Sequence, residues 1–276
     1  MKILILGKGF LGGKYEEYFR TKYWVNTSRV DIGSSEISNE LKYFDPDVVI
    51  NCAAKSGRPN VDWCESHKVE TLRSNLEAPL NLMRHCLAQQ KYLVQLGSGC
   101  IYEGDNNGNG FGEDDDPNFF RSFYSTTKAA LNIAMKPFPV LQLRLRMPLD
   151  AQPGPRNLIT KLASYPEIIS LPNSVTFIDE LLTTTEALIL QRATGIYNVV
   201  SPQPITQQQL LECYKQYVDP THQYKIISLA ELETKTAAGR SNCVLSTKKL
   251  RDAGIILQPT LEKLEVVMKQ YAAISA

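Results

Sequence analysis

The chain has 276 residues, 43% of them hydrophobic and 21% charged, and its 30 basic and 29 acidic side chains leave a formal net charge of +1. This composition is typical of a soluble globular protein of one or two domains, and it excludes the strongly basic surface that nucleic acids and anionic membranes attract. No apolar run approaches the roughly 20 residues that span a bilayer. We therefore expect a small-molecule ligand, with no nucleic-acid partner and no membrane association.

The cysteines and histidines predict neither disulfides nor a metal site. The six cysteines form no C-x-x-C pair, and no secretory signal precedes the first predicted strand, so a cytoplasmic, reducing location is expected. The three histidines have no metal-ligand spacing, and no metal site is predicted. The cysteines are at positions 52, 64, 86, 100, 213 and 243, and the histidines at 67, 85 and 222.

Up to residue 148, short apolar runs alternate with segments of helix-like apolar spacing. The segment Phe10–Tyr23, for example, predicts a helix directly after the first run. This alternation predicts an α/β fold with a Rossmann-type, doubly wound parallel sheet over residues 1–148. The apolar runs are Lys2–Leu6, Trp24–Val25, Val48–Ala54, Tyr92–Leu96 and Val140–Met147.

After Pro148 four prolines interrupt the pattern, which predicts a smaller C-terminal α/β lobe over residues 149–276 that binds substrate, with segments returning to the first domain. The stretch Gly104–Asp116, rich in Gly, Asn and Asp, is expected to be a mobile loop. The elements predicted in the second lobe are a helix over 178–190, a strand over 196–200, a helix over 207–217 capped by Thr206, and a closing helix over 261–273.

A glycine-rich turn follows the first strand. Gly7, Gly9 and Gly12 form G-x-G-x-x-G, with Phe10 and Leu11 between the second and third glycines. In this position the glycines let the backbone approach a pyrophosphate at a helix N-terminus, so the turn predicts a dinucleotide site.

The end of the second strand indicates NADP(H) as the cofactor. An NAD enzyme often has a carboxylate here, but this chain has Ser28 and Arg29, which would hold a 2′-phosphate. A solvated loop arginine is the alternative for Arg29. The remaining cofactor predictions are Asp31 and Ile32 at the adenine, Cys52, Ala53 and Ala54 beneath the dinucleotide, and Asn75.

Tyr124 and Lys128 have the Y-x-x-x-K spacing, which places phenol and ammonium on one face of a helix. The lysine would stabilise a phenolate whose pKa is ordinarily near 10. Ser98 follows the strand Tyr92–Leu96, at the edge where such sheets present ligand-binding groups. Together the three residues, with Tyr124 and Lys128 also touching the cofactor, predict a carbonyl-reducing centre.

At this point the chain resembles the extended short-chain dehydrogenases that act on nucleotide-sugars. Leu96–Tyr102, LGSGCIY, is similar to a segment of GDP-fucose synthases in which the serine serves reduction and the cysteine epimerisation. The resemblance implies the same division between Ser98 and Cys100. For Cys100 the alternative is a small buried residue without a chemical role.

Further motifs resemble the nucleotide-rhamnose synthase/epimerase-reductases, and more distantly the dTDP-4-dehydrorhamnose reductases, which usually have threonine for the serine and lack the cysteine. The closer resemblance implies 3,5-epimerisation of UDP-4-keto-6-deoxy-D-glucose and NADPH reduction at C4 to give UDP-L-rhamnose. The motifs are Gly57–Glu65, Arg146–Pro148, Pro155–Lys161 and Leu171–Ser174.

Epimerisation needs a base and an acid on opposite faces of the sugar. In an extended segment Cys100 would point to the same side as Ser98. Lys161 is the expected opposite partner, although the corresponding histidine or lysine of GDP-fucose synthase and GDP-mannose epimerase aligns with Asn157, one helical turn earlier. A solvated helix lysine is the alternative. The substrate contacts implied are Arg58, Asn60 and Asp62 at the sugar, Arg240 at the pyrophosphate, and Asn157, with a surface ion pair as the alternative for Arg240.

Two other functions remain open at this point. One is a 4-keto-reductase supplied by a separate epimerase, and the other is a non-catalytic NADP-binding regulatory subunit, which the intact Ser98, Tyr124 and Lys128 disfavour. The sequence leaves UDP and dTDP undecided as the nucleotide carrier. The resemblance also allows a homodimer, since paired helices join subunits in many relatives.

Overall fold

A computed structural model describes residues 1–275 of the chain. The strands are β1 (Lys2–Leu6), β2 (Trp24–Ser28), β3 (Val48–Asn51), β4 (Tyr92–Ser98), β5 (Leu141–Leu145), β6 (Pro148–Leu149), β7 (Glu167–Ile168), β8 (Thr176–Phe177), β9 (Gly195–Asn198) and β10 (Lys225–Ile226). The helices are α1 (Phe10–Arg20), α2 (Glu36–Phe44), α3 (Trp63–Ser66), α4 (Lys68–Leu72), α5 (Ala78–Ala88), α6 (Phe123–Met135), α7 (Leu158–Ala163), α8 (Ile178–Leu190), α9 (Gln207–Tyr217), α10 (Leu229–Glu233), α11 (Lys248–Asp252) and α12 (Thr260–Ser275), and a π-helical turn, Arg73–Glu77, joins α4 to α5.

The centre of the fold is a six-stranded parallel sheet in the order β2-β1-β3-β4-β5-β9. Its inner strands are apolar along most of their length because helices cover both faces. Residues of α1 and α8 pack on one face, and residues of α2, α5 and α6 pack on the other. The predicted α/β, doubly wound fold is confirmed. The strand order reverses between β1 and β3, which places a crevice at their carboxyl ends.

The part of the chain after residue 148 contributes to two cores. Elements α7, α9 and α12 surround a separate apolar cluster with β6 and β8, which forms a small lobe. In contrast, α8 packs against α1 on the main sheet, and β9 extends that sheet beside β5. The helix and strand expected in the second lobe at 178–190 and 196–200 therefore belong to the main sheet, because the apolar face of α8 is buried there.

The segment Gly104–Asp116 forms no regular element, but it is not a detached loop. Gly104 and Phe111 exchange backbone hydrogen bonds with the segment 242–246, and Phe111 is 8% exposed. This pairing differs from the mobile loop that the composition suggested. Within residues 1–275, no helix combines the length and apolar character needed to cross a membrane.

Candidate active site

A cleft, here called the glycine cleft, opens at the carboxyl ends of β1 and β3. It has an outer part of about 490 Å³ beside β2 and an inner part of about 320 Å³ beside β4. Four residues line both parts, so the two form one elongated site. They are Gly9, Cys52, Ala53 and Ala54.

The three glycines of the first turn have different physical roles. Gly7 has φ +91°, and a Cβ there would lie 2.7 Å from the Ala53 nitrogen. A Cβ on Gly12 would lie 1.9 Å from the Gly7 carbonyl oxygen, so this position packs α1 against the turn. A Cβ on Gly9 would meet no protein atom within 4 Å. The open space at Gly9, before the free amide donors of α1, fits the pyrophosphate of a dinucleotide.

Most of the predicted cofactor residues line this cleft. Phe10 and Leu11 line its inner part, and Asp31 and Ile32 line its outer part. Ser28 and Arg29 lie just outside, at the end of β2, where the Ser28 hydroxyl accepts a hydrogen bond from the Val30 amide at 3.2 Å and Arg29 is exposed. These two residues therefore stand at the rim beside the lining residue Val30.

Asn75 is the cofactor prediction that the structure changes. Its side chain is 0% exposed, and its amide group bonds both the backbone nitrogen and the carbonyl oxygen of Lys55, each at 2.8 Å. With both amide atoms engaged, Asn75 positions the backbone that follows β3 and is absent from the cleft lining.

One charged pair in the cleft was not predicted. The Arg73 guanidinium lies 2.6 Å from an Asp31 carboxylate oxygen, and both residues line the outer part. Arg73 begins the π-helical turn, and such turns are frequent at functional sites. The sequence carries no signal for Arg73, since a single exposed arginine belongs to no motif. Only the π-helical turn, which the structure shows, marks the position.

The predicted reducing centre assembles at the inner end of the cleft. Ser122 caps α6 by accepting a hydrogen bond from the Ser125 amide, and the helix carries Tyr124 and Lys128 to the cleft wall. Lys128 is 5% exposed, with its ammonium 3.5 Å from the Leu96 carbonyl oxygen. Ser98, at the end of β4, is 6% exposed and follows the lining residues Leu96 and Gly97.

The electrostatics of the tyrosine differ from the expected phenolate. Burial raises the pKa of Tyr124 above its ordinary value, as does nearby Cys100, while the Ser98 hydroxyl lowers it. Burial also lowers the pKa of Lys128 to about 8. Tyr124 is therefore held as a neutral phenol, which suits a proton donor.

A second space, here called the lobe cavity, lies between the main sheet and the small lobe and measures about 490 Å³. Cys100 and Arg146 line it, and Tyr124 and Lys161 line both this cavity and the inner part of the glycine cleft. The two spaces therefore meet at Tyr124 and Lys161.

Cys100 reaches the lobe cavity by a different geometry from the one predicted. The strand ends at Ser98 and the chain then turns, so Cys100 is not in an extended segment. Its backbone amide donates a hydrogen bond to the Ser98 hydroxyl at 3.1 Å. This local turn keeps the two residues adjacent.

Lys161 is carried on α7 and is half-buried. Burial lowers its pKa, and the neighbouring Arg156 lowers it further. Arg156 also lines the inner cleft and donates to the Ser56 hydroxyl at 3.2 Å, a placement not predicted from the sequence. An amine with a lowered pKa can exchange a proton near neutrality more readily than a surface lysine.

Two of the predicted substrate contacts line the lobe cavity, and the other three lie outside its lining. Asn60 lines the lobe cavity, whereas Arg58 is exposed outside its lining. Arg240 lines the cavity, but it forms a two-pronged ion pair with Asp62, with both N–O distances 2.9 Å. This pairing matches the alternative considered for Arg240 and neutralises much of its charge.

Asn157 has a structural position rather than the predicted substrate contact. It is 0% exposed, caps α7 through the Ile159 amide, and donates to the backbone carbonyls of Asp150 and Gln152. All of its polar atoms are used by the turn before α7. It therefore orients the helix that carries Lys161.

Comparisons with known proteins add evidence on ancestry. The family model described as the RmlD substrate binding domain matches residues 1–137. A protein of Arabidopsis thaliana named bifunctional dTDP-4-dehydrorhamnose 3,5-epimerase/dTDP-4-dehydrorhamnose reductase is 39% identical, over 90% of this chain and 86% of that protein. The L780 UDP-rhamnose synthase of Acanthamoeba polyphaga mimivirus superposes with a TM-score of 0.94 at 31% identity, over 98% of this chain and 99% of that one.

A more distant structure agrees in fold. The dTDP-4-dehydrorhamnose reductase of Bacillus anthracis, solved in complex with NADP, has a TM-score of 0.83 at 18% identity, over 100% of this chain and 99% of that one.

Proposed function

We propose that this chain, which belongs to the family of rhamnose-forming nucleotide-sugar epimerase/reductases and dTDP-4-dehydrorhamnose reductases, converts UDP-4-keto-6-deoxy-D-glucose to UDP-L-rhamnose with NADPH. The family uses NADPH for reduction. The reaction combines 3,5-epimerisation with reduction at C4. We place it in the cytoplasm, where the free cysteines stay reduced.

The observation that carries the proposal is the meeting of the two spaces at Tyr124 and Lys161, with Cys100 in the lobe cavity beside them. A reductase alone needs a phenol between cofactor and substrate. An epimerase also needs a base and an acid around the same sugar. Cys100 and Lys161 supply those two further groups.

The epimerisation uses residues of the lobe cavity. A C4 ketone acidifies the hydrogens on C3 and C5 of the sugar. The Cys100 thiolate forms an S–H bond with one of these protons as the C–H bond breaks, and the electron pair moves onto O4 as an enolate. The Lys161 ammonium then delivers a proton to the opposite face and inverts the carbon. Exchange with water returns both groups to their starting protonation states.

The reduction uses residues of the glycine cleft. Gly7, Gly9 and the first turn of α1 would hold the pyrophosphate of NADPH, with Asp31 and Ile32 at its outer end. When bound, NADPH supplies the hydride that C4 requires. The buried Tyr124 phenol donates the proton to O4, and the Ser98 hydroxyl beside it orients the phenol. Lys128, adjacent in the same wall, restores the proton to Tyr124.

The direct test is to follow NADPH oxidation with three sugar nucleotides and to identify the products by NMR. UDP-4-keto-6-deoxy-D-glucose should give UDP-L-rhamnose. The dTDP-linked equivalent measures the preference for the nucleotide. Activity only with the pre-epimerised 4-keto-rhamnose nucleotide would instead show a reductase alone. No oxidation with any of the three would overturn the proposal and favour a non-catalytic NADP-binding subunit.

A further inference from the structure

Arg146, which follows β5, has its charged group enclosed in the protein and directed at Cys100. The residue is 4% exposed, and its Nη1 donates to the Cys100 sulfur at 2.7 Å. Its Nη2 donates to the Asn173 side-chain oxygen at 2.6 Å and to the Ser241 carbonyl oxygen. The guanidinium thus lies at the wall of the lobe cavity in a fixed orientation.

The charge of this guanidinium is not balanced by a carboxylate. No ion pair within residues 1–275 includes Arg146. A buried charge without a counter-ion is costly, and arginine does not lose its proton in proteins. The acceptors around it are a carbonyl, an amide oxygen and the Cys100 sulfur. Of these three groups, only the sulfur can become an anion.

The other titratable groups that face Cys100 do not replace Arg146 as the cation. Tyr124 and Cys243 are neutral or anionic groups. Lys128 keeps most of its charge at neutral pH, since burial lowers its pKa only to about 8, but its ammonium is directed to the Leu96 carbonyl oxygen. Lys161 lines the same lobe cavity from α7, and burial and Arg156 lower its pKa. Burial acts to lower the pKa of Arg146, but Cys100 and Cys243 beside it raise that pKa above its ordinary value. Among these cations, Arg146 is the one whose charged group donates directly to the Cys100 sulfur.

Asn173 fixes the orientation of Arg146. Its side-chain oxygen accepts from Arg146 and from the Cys243 backbone amide at 3.1 Å, while its Nδ2 donates to the Asn242 side-chain oxygen at 2.9 Å. Asn173 is 1% exposed. The motifs Arg146–Pro148 and Leu171–Ser174, which had no assigned chemical role, thus meet at one contact.

We propose that Arg146 is a positioning residue that holds Cys100 as a thiolate aimed into the lobe cavity, and that Asn173 keeps it there. The inference rests on the proposed function, in which that thiolate takes a proton from C3 or C5. Before this step the guanidinium and the thiolate form a buried ion pair. When the S–H bond forms, the negative charge moves to O4 of the sugar, so Arg146 favours the return of the proton to solvent and resets the base.

The test measures thiolate character without using turnover. Native protein is alkylated with iodoacetamide across a pH series, and the modified peptides are quantified by mass spectrometry, so each cysteine is read separately. Cys213 is the internal reference, because it is also half-buried and its pKa is raised to about 11 by burial. The pH dependence of each rate is the readout, since the thiolate is the nucleophile: between about pH 6.5 and 8.5 the rate at Cys100 should change by less than about threefold, whereas the rate at Cys213 should rise about tenfold per pH unit.

The variants identify the cause. Arg146→Gln should lower the neutral-pH rate at Cys100 by about tenfold or more, with the rate recovering as the pH rises, and Arg146→Lys should restore part of it. Arg144→Gln is the matched control. Arg144 is a buried arginine of β5 that donates to Gly112, Glu113 and Asn132, with no contact to Cys100, so its loss should leave the rate unchanged.

Two results would overturn the inference. One is a native Cys100 whose alkylation rate rises with pH as steeply as that of Cys213, a result that does not depend on whether any variant folds. The other is a folded Arg146→Gln protein whose pH profile at Cys100 matches the native one. A native protein that shows the predicted thiolate but exchanges no deuterium at C3 or C5 would overturn the proposed epimerisation and leave the role of Arg146 standing.

Discussion

The backbone amide of Cys100 donates a hydrogen bond to the side-chain oxygen of Ser98 at 3.1 Å. This contact joins the group proposed for epimerisation to the group proposed for reduction within a single turn after β4. Since Ser98 also lies beside Tyr124, one bound 4-keto sugar can meet both sets of residues without moving to a second site. The order of the two reactions then follows from the chemistry, because reduction of the C4 ketone ends the acidity of C3 and C5.

The glycine turn gives a prediction with a control in the same helix. Gly12→Ala should lower the melting temperature, because its Cβ would lie 1.9 Å from the Gly7 carbonyl, and overpacking costs about 1–3 kcal/mol or more. Gly13→Ala, with no atom within 4 Å of its Cβ, should be stabilising by up to about 1 kcal/mol. Gly9→Ala should fold normally but bind NADPH more weakly. Equal melting temperatures for the Gly12 and Gly13 variants would contradict this packing.

The rim of the glycine cleft predicts the cofactor preference. Arg29→Ala should weaken NADPH binding by about tenfold, a loss of about 1.4 kcal/mol, because a charge-assisted contact to the 2′-phosphate is removed. NADH binding should change little, and it is measured in parallel by fluorescence titration. Wild-type protein that binds the two cofactors equally, or an Arg29→Ala protein with native affinity for NADPH, would show that Arg29 is only a solvated loop residue.

Burial of the charged Lys128 side chain should destabilise the folded protein at neutral pH. Its pKa falls from 10.5 to about 8 on folding, so between these values the unfolded chain binds a proton that the folded chain has released, and stability rises with pH. At neutral pH, Lys128→Met should therefore raise the free energy of unfolding by up to about 3 kcal/mol while abolishing reduction. Urea unfolding of the native protein and the variant at several pH values measures this difference. The gain in the free energy of unfolding should shrink as the pH rises above about 8. A variant with no gain at neutral pH would be inconsistent with a buried lysine.

Lys161 predicts the alkaline limit of epimerisation. Lys161 must carry its proton to act as the acid. Burial lowers its pKa most, and the charge of Arg156 lowers it further. Inversion should therefore slow as the pH rises through that lowered pKa. Arg156→Gln removes a positive neighbour and should move this decline to higher pH. Lys161→Met should slow inversion by about 10²-fold or more. A decline that stays at the same pH in Arg156→Gln would rule out Lys161 as the titrating acid.

The features that follow from local spacing could be predicted from the sequence. Helix α8 occupies the predicted residues 178–190, and α9 occupies 207–217 with Thr206 forming a capping box with Gln209. The glycine turn and the Tyr124 and Lys128 pair depend on neighbours within a few residues, and the structure brings them to one cleft. In each case the sequence pattern and the contacts that it predicts involve residues close together in the chain.

The side chains that the structure places differently from the prediction are held by contacts that residue spacing does not specify. Asn75 is occupied by the Lys55 backbone, and Asn157 by the turn before its own helix, so both amides serve positions that spacing alone cannot reveal. Arg146 meets Cys100 across 46 residues. Such contacts depend on how β4 and β5 lie side by side, which a single sequence does not specify.

The most direct measurement of the shared site is deuterium incorporation at C3 and C5 of UDP-4-keto-6-deoxy-D-glucose in D₂O without NADPH, followed by NMR or mass spectrometry. Wild-type protein should incorporate deuterium at both carbons. Cys100→Ala should incorporate none beyond the enzyme-free rate and yet reduce the pre-epimerised 4-keto-rhamnose nucleotide with NADPH. Native incorporation by Cys100→Ala, or none by the wild-type protein, would contradict the account.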